Sequence, residues 1–484
     1  MLKIDEIKRF IDEDSASLKK AAARKGQEYY EGEHDIRNYR LFYYNNDGEL
    51  VEDKSRSNVK IPHPFFTELV DQTTQYILSG ETFIKSDIPE LQAELNGYFN
   101  DDENFIAELS EVITGCQTKG FEYMFAYKNE NNKLCFQCAD SIGVVEVSAK
   151  DNEANKNHII YWYVYRVGKG QKKIKKIQVW DDKEVGFYVQ EEKGEILVDD
   201  SEAVNPRPHI LYRKEKDAKT YFDEFGFIPF FRLDNNKKQH SSLKPVKELI
   251  DDYDLMASSL SNNLVDFDTP IHVIKGYPGE DLDELQQNLK TKKIIGVDEN
   301  GGIDIKTVDV PYQAREAKLN LDEKNIYRFG MGLNTSGLKD TSATTNIAIK
   351  AMYSLLDLKC SKLEIRLKQF LRKIIKVVLE EINKDKSTDY QMKDVYFNFE
   401  HVIMSNAQEN AQIELVEAQR KEVEINILLG LATYIDNELL MQLVAEQLDI
   451  DWEEIKGKLK NPDEAEDDLK KAQEILKEIS IEAS

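Results

Sequence analysis

The organisation of the chain centres on the stretch at residues 243–267, LKPVKELIDDYDLMASSLSNNLVDF. Its apolar or small side chains recur at alternating steps of three and four, which draws one stripe along an α-helix. These side chains are Leu243, Val246, Ile250, Tyr253, Ala257, Leu260, Leu264 and Phe267. The opposite face carries Glu248, Asp251, Asp252, Asp254 and Asn262. A helix of roughly 37 Å is predicted, and it is either a buried core element or a wall element repeated in an assembly.

The segments that follow this helix alternate between long helices and irregular chain. Helical periodicity predicts two further long helices, at residues 311–329 and 347–383. Residues 268–310 are predicted to form a small mixed segment of strands and a helical turn. Residues 330–346, GMGLNTSGLKDTSATTN, form a polar loop. Loops longer than about 12–15 residues are usually functional or disordered, so this one is a candidate site.

Upstream of the central helix, the sequence changes from helical to strand periodicity. Helices are predicted within residues 1–30, 61–80 and 88–118, whereas the Asn-rich residues 39–59 are predicted to be a loop. Residues 121–231 alternate with a period of two between turns, which predicts an antiparallel sheet with hairpin connections. A strand is predicted at 390–403, and helices after 405. The predicted fold class is therefore α+β, predominantly helical.

The composition indicates a globular, strongly acidic protein. The 484 residues are 41% hydrophobic and carry a net charge of −25. Residues 405–484 alone have 20 Asp and Glu against 8 Lys and Arg. Tight DNA binding through phosphates needs a basic surface, so it is disfavoured. An acidic surface could instead let DNA slide past, or serve solubility alone. The sequence offers neither an apolar run long enough for a membrane span nor a signal-peptide hydrophobic region.

Residue types suited to catalysis or metal binding form no convincing cluster. Cys135 and Cys138 have C-x-x-C spacing, but no second pair or nearby His completes a zinc site. Asp251, Asp252 and Asp254 could serve a metal or acid–base chemistry, yet a solvated helix face is the favoured interpretation. We therefore predict no catalytic residue, no metal and no cofactor.

Several sequence motifs, in their order along the chain, resemble motifs of the phage portal proteins of siphophage type. FGFIPFFRLDNN (residues 225–236) precedes the central helix, as a Gly-x-Ile-Pro phrase ending in Asn-Asn does in that family. YYEGEHDI (29–36) and IPHPFFTELVDQTTQYILSG (61–80) also resemble family phrases. The helix itself contributes Leu249, Ile250, Asp251, Tyr253, Asp254, Ser258 and Asn262. The long helix keeps Ala348 and Lys350 of a family phrase but lacks its Ser-Gly.

The resemblance implies a portal fold and a ring-shaped homo-oligomer, usually a dodecamer, at one vertex of the capsid. The implied parts are a wing (1–240), two stem helices (241–267 and 311–329), a clip (268–310), a tunnel loop (330–346), a long helix with a return strand (347–404) and an acidic helical crown (405–484). The implied location is the virion, after assembly in the host cytoplasm, with no membrane contact.

The resemblance also implies partners and site residues. Double-stranded DNA would pass through the channel, and terminase and a head-completion adaptor would dock on the clip. Major capsid and scaffolding proteins would contact the wing. The implied DNA-contacting residues of the tunnel loop are Asn334, Thr335, Ser336, Lys339, Thr341 and Ser342. The stem residues predicted to line the channel are Glu248, Asp251, Asp252 and Asp254, and the docking residues of the clip are Lys290, Lys292 and Lys293.

Two alternatives stay open at this point. One is a metal-dependent, nucleic-acid-processing enzyme that uses Asp251, Asp252 and Asp254. The other is a different minor capsid or head-completion protein.

Overall fold

The computed structural model describes residues 1–54, 56–80, 83–129, 132–167, 172–192, 194–213, 220–267, 271–275, 301–306, 312–335, 346–401, 407–431 and 434–447. The chain divides into two compact units. The first comprises Met1–Asp340 and Lys350–Ile403, and the second Thr341–Ile349 and Met404–Ser484.

Helices make up a large part of the first unit. They are α1 (Ile4–Ser15), α2 (Leu18–Tyr30), α3 (Phe65–Ile77), α4 (Pro89–Leu95), α5 (Glu103–Lys119), α6 (Lys247–Phe267), α7 (Tyr312–Gly330) and α8 (Asn346–Lys386). α5 shows why they start and stop where they do. Asp102 accepts hydrogen bonds from the backbone N–H groups of Asn104 and Phe105, and Gly120 ends the helix at a φ of 92°.

The strands form small antiparallel sheets. They are β1 (Phe42–Tyr44), β2 (Leu50–Glu52), β3 (Ile84–Lys85), β4 (Phe121–Lys128), β5 (Leu134–Ala139), β6 (Val144–Val147), β7 (His158–Val167), β8 (Lys172–Trp180), β9 (Glu184–Glu191), β10 (Ile196–Val198), β11 (Arg207–Pro208), β12 (Ile210–Arg213), β13 (Thr220–Asp223), β14 (Phe230–Asp234), β15 (Ile271–Lys275), β16 (Gly302–Lys306) and β17 (Tyr396–Phe397). The largest sheet has the order β10-β9-β8-β7-β6, and a second has the order β14-β4-β5. The predicted meander and the α+β class are confirmed.

The main core forms around the inward face of α8. Leu363, Leu367 and Phe370 are buried there, in one apolar cluster with side chains of α4, α5 and β4. A second core lies between α1 and the large sheet, where Ile7 and Ile11 pack with Ile177. Both helices bury the residues that recur every three to four positions, as the amphipathic pattern requires.

One predicted loop is a β-hairpin. Residues 39–59 contain β1 and β2, which pair with Tyr43 opposite Val51. The side chain of Asn45 accepts hydrogen bonds from the N–H groups of Asp47 (3.0 Å) and Glu49 (2.8 Å). Gly48 supplies a φ of 78° in the same turn. The loop prediction is wrong because the Asn residues that suggested irregular chain build the hairpin's turn.

Other boundaries shift. The central helix begins at Lys247 rather than at residue 243. The strand predicted at 390–403 is limited to β17, which pairs with β3. The second unit contains α9 (Ala407–Gly430) and α10 (Asn437–Gln447), so the helical prediction is confirmed over the described part of that region. No helix within the described ranges is long and apolar enough to cross a bilayer.

Candidate functional site

The predicted stem helix α6 is buried along its first half and open along its second. Ile250, together with Val246 just before the helix, is fully buried in one apolar cluster with Phe66 of α3 and Ile326 of α7. Leu264, near the other end of the same predicted stripe, has 54% of its surface exposed. The apolar stripe is therefore a core element only at its N-terminal end.

A row of polar side chains on α6 holds an extended segment of the chain. Asp254, Ser258, Asn262 and Asp266 follow one another at steps of four residues. Their side-chain oxygens accept hydrogen bonds from the backbone N–H groups of residues 63, 61, 59 and 57, at 2.9, 3.0, 2.6 and 3.1 Å respectively. Four helical residues advance about 6.0 Å, and two extended residues about 6.6 Å. The two repeats match, so every second amide meets the next acceptor; we call this arrangement the amide ladder.

The two prolines of this segment lie at positions that donate no hydrogen bond to the amide ladder. Pro62 and Pro64 alternate with the donating residues, so neither missing N–H costs a rung. Each proline also disfavours the helical conformation of the residue before it, here Ile61 and His63. Pro64 stands directly before α3.

Asp254 accepts the hydrogen bond of the amide ladder that lies nearest to α3. Its carboxylate is buried, with Oδ2 2.6 Å from His34 Nδ1 and Oδ1 2.8 Å from His63 Nδ1. His34 Nε2 is 3.2 Å from the backbone oxygen of Tyr29, whose ring stacks on the imidazole at 4.5 Å. The predicted position of Asp254 on a solvated, channel-lining face is wrong because two histidines from the N-terminal region enclose its side chain.

Asp251 is half-buried and shares a cation with Asp35. Lys247 Nζ lies 2.7 Å from Asp251 and 2.6 Å from Asp35, and the Tyr29 hydroxyl donates to Asp251. Burial opposes the charge on Asp35, but hydrogen bonds from Lys247 and Lys25 outweigh it and lower the pKa of Asp35 to about 2. Burial and the bond to Asp251 raise the pKa of Tyr29. These contacts tie α6 to the end of α2.

Asp252 links the two predicted stem helices. Lys318 of α7 bonds both Asp252 of α6 and Asp322 of its own helix. These two hydrogen bonds raise the pKa of Lys318. Glu248, one turn earlier, is exposed. Of the four predicted channel-lining residues, Glu248 is thus exposed, and Asp251 and Asp252 are partly exposed.

The three aspartates do not form one site. Asp251 faces Lys247, Asp252 faces Lys318, and Asp254 faces two histidines. Among the described residues, no group of three His, Cys, Asp or Glu side chains could hold a metal ion. The geometry therefore gives no support to a shared catalytic metal at these carboxylates.

The first residues of the predicted tunnel loop are anchored on α3. Leu333 donates its N–H to the Gln72 side chain and accepts from it, both at 2.9 Å. A Cβ on Gly332 would lie 2.2 Å from Leu69 Cδ2, so this close approach requires glycine. Asn334 bonds Glu323 of α7 at 3.2 Å, and Thr335 is exposed.

The rest of the predicted sites lies outside the described residues. This applies to Ser336, Lys339, Thr341 and Ser342 of the loop, and to Lys290, Lys292 and Lys293 of the clip segment. Within residues 268–310, β15 and β16 pair in antiparallel fashion, in keeping with the predicted strands.

Sequence reasoning missed a basic stretch on α8. Residues 350–376 contain eight Lys and Arg but only two Asp and Glu, in a chain whose net charge is −25. Lys362, Arg372, Lys373 and Lys376 are exposed. A running charge count along the sequence would have found this stretch.

Two portal proteins of phages are similar in sequence to this chain. The portal protein of Bacillus phage SPP1 is 26% identical over 408 residues, covering 84% of this chain and 78% of the relative. The portal protein of Clostridium phage phiCD119 is 24% identical over 430 residues, covering 85% and 89% respectively. A chain in the solved structure "Neck of native GTA particle computed with C12 symmetry" has 13% identity, a TM-score of 0.35 and coverage of 79% and 89%.

These relatives define the class as phage portal proteins, which are structural components of the virion's head-to-tail connection. Within that class, the chain belongs to the family described as "Phage portal protein, SPP1 Gp6-like", whose model matches residues 7–466. The resemblance inferred from the sequence phrases is confirmed.

Proposed function

We propose that the chain forms a ring, with a central channel, at one capsid vertex. Double-stranded DNA is packaged and ejected through this channel. The observation that carries the proposal is the family match over residues 7–466. The contacts of α6 support it, because Lys318 and the amide ladder hold this helix in place from two sides. A channel wall made of repeated helices needs such bracing within each copy.

The stem would present acidic side chains to passing DNA. Glu248 is exposed, and Asp251 and Asp252 retain partial exposure. Repeated around a ring, these carboxylates repel phosphates, so the duplex meets few positions where it is trapped. Asp254 is excluded from this set because it is buried within the subunit.

The tunnel loop would supply the few contacts that grip DNA. Asn334 and Thr335 stand where the chain leaves its anchor on α3. We propose that they, with Ser336, Lys339, Thr341 and Ser342, hydrogen-bond phosphate oxygens. Lys339 is the only basic side chain of residues 330–346 and has the strongest attraction for phosphate.

The remaining regions would bind protein partners. We propose residues 268–310 as the clip, on which Lys290, Lys292 and Lys293 dock terminase and later a head-completion adaptor. Residues 1–240 would contact capsid and scaffolding proteins, and residues 405–484 would form the crown inside the head. Assembly would take place in the host cytoplasm.

The purified full-length chain tests the ring directly. One chain weighs 56.0 kDa, so a ring of about a dozen copies exceeds half a megadalton. We expect native mass spectrometry to detect that species and electron microscopy to show a turbine-shaped particle with a central channel. A strictly monomeric chain across all assembly conditions would refute the proposal. Closed rings without a channel would favour another head-completion protein.

A further inference from the structure

The β1–β2 hairpin exposes more apolar surface than an isolated hairpin can sustain. Phe42, Tyr43 and Tyr44 are 55%, 49% and 74% exposed, and Leu50 is 58% exposed. No third strand joins β1 and β2 within the part of the chain that is described. A lone two-stranded hairpin is marginally stable in water unless one of its faces packs against something. The turn is nevertheless well formed, so the hairpin is a built element that lacks a third strand among the described residues.

The amide ladder determines where this hairpin stands. The N–H of Asp53 bonds the backbone oxygen of Leu41 and closes the base of the hairpin. Four residues later, Ser57 donates to Asp266, the last rung of the ladder. The hairpin is therefore fastened to α6 at the helix's C-terminal end.

The same end of the stem carries an apolar groove. It lies between α6 and α7, measures about 510 Å³ and is lined by Leu260 and Leu264 on one side and Tyr312 and Leu319 on the other. Leu264 and Tyr312 are 54% and 58% exposed. Hairpin and groove are thus two exposed apolar surfaces near one end of one helix, as far as the described part of the chain extends.

We infer that the β1–β2 hairpin of one copy packs into the α6–α7 groove of a neighbouring copy of this chain. The inference rests on the proposed ring. Rotation about a ring axis keeps equivalent residues at the same height, so a surface at the C-terminal end of α6 meets a neighbour at that level. The contact is heterologous, because hairpin meets groove rather than hairpin meeting hairpin, and a heterologous contact forms a ring when the rotation between copies closes.

One face of the hairpin supplies the contact area. Phe42, Tyr44 and Leu50 lie on one face, whereas Tyr43 and Val51 point to the other. With about 150–250 Å² for a whole aromatic side chain, the exposed parts of Phe42, Tyr44 and Leu50 amount to roughly 350 Å². An equal area of groove gives about 700 Å² per contact, so this contact is one part of a larger interface between neighbouring copies. Each copy in a ring makes the contact twice.

Disulfide trapping between differently marked copies tests the inference. Full-length Tyr44→Cys and Leu264→Cys proteins are assembled separately and as a mixture, then oxidised and run on a non-reducing gel. We expect covalent dimers from the mixture, and a ladder of multimers from the double variant. The control replaces Tyr44→Cys with Leu18→Cys, because Leu18 is 90% exposed and lies at the start of α2. Equal trapping by the control would overturn the inference.

A polar substitution gives an independent readout. We expect Tyr44→Ser to raise, about tenfold, the protein concentration below which rings dissociate, and Leu18→Ser to leave it unchanged. Mass photometry measures this concentration. The hairpin contact would be refuted if the wild-type chain forms rings, the Cys variants are not trapped, and Tyr44→Ser rings are as stable as wild-type rings. The ring proposal would stand in that case. If the hairpin serves a capsid partner instead, Tyr44→Ser rings are equally stable but fail in capsid assembly, which also refutes it. Failure of the ring itself is visible in the wild type alone.

Discussion

Replacing Asp254 with Asn should release the segment that runs beside α6. The substitution preserves side-chain volume but removes the buried charge that faces His34 at 2.6 Å and His63 at 2.8 Å. It also points an amide group at imidazole nitrogens and weakens the acceptor for the His63 backbone N–H at 2.9 Å. Losing a hydrogen bond to a buried charged group costs about 1.5–3 kcal/mol. Local opening of residues 57–63 should therefore become about 10- to 100-fold more frequent, since 1.4 kcal/mol corresponds to a factor of ten.

Hydrogen–deuterium exchange read by mass spectrometry measures this opening. The peptide covering residues 57–63 should exchange faster in Asp254→Asn protein by roughly that factor. Asp252→Asn is the matched control, because it makes the same chemical change two residues away, in a half-exposed pair with Lys318. A partly exposed pair contributes at most about 1 kcal/mol, so its effect on this peptide should be small. Equal exchange in both variants, or unchanged protection in Asp254→Asn, would refute our interpretation of the buried carboxylate.

Three further predictions concern other regions. Gly26→Ala would place a Cβ 1.8 Å from the backbone oxygen of Thr118, so we expect a loss of about 1–3 kcal/mol in thermal unfolding, whereas Gly97→Ala, which meets nothing within 4 Å, should be tolerated. Burial raises the pKa of Glu122 to about 7. The folded state then binds this proton more readily than the unfolded state, so stability should decrease as pH rises from about 4.5 through 7, and Glu122→Gln should flatten this decrease in melting curves. Deleting residues 334–345 should leave rings intact but abolish DNA packaging; normal packaging would exclude the loop from the mechanism.

The sequence predicted those helices and strands in which apolar residues recur with a single period. The stripe of α6 and the alternation of β7 and β8 are of this kind, because burial on one face needs only a regular recurrence of apolar residues. The hairpin at residues 39–59 was missed for a local reason. Asn45 and Gly48 suit both an irregular loop and a tight turn, and the strands on either side are only three residues long.

The polar face of α6 could not be interpreted from its own sequence. Asp254 and Asp252 are the same residue type two positions apart, yet one is enclosed and the other half-exposed. The difference arises from His34 and His63, which lie about 200 residues earlier in the chain. The step of four from Asp254 to Ser258 and Asn262 was visible, but its meaning depends on an extended segment that only tertiary structure brings alongside.

The amide ladder imposes unequal constraints on its two sides. Each of the four rungs has a main-chain N–H as its donor, which any residue except proline supplies, whereas each acceptor on α6 is a particular side chain. Substitutions at Ser57, Val59 or Ile61 therefore leave the rungs intact, but loss of Ser258 or Asn262 removes one. These three positions can vary in sequence and so change what the segment presents to the outside, whereas His63 is held by its side-chain contact with Asp254. The helix beneath it has to keep its acceptors.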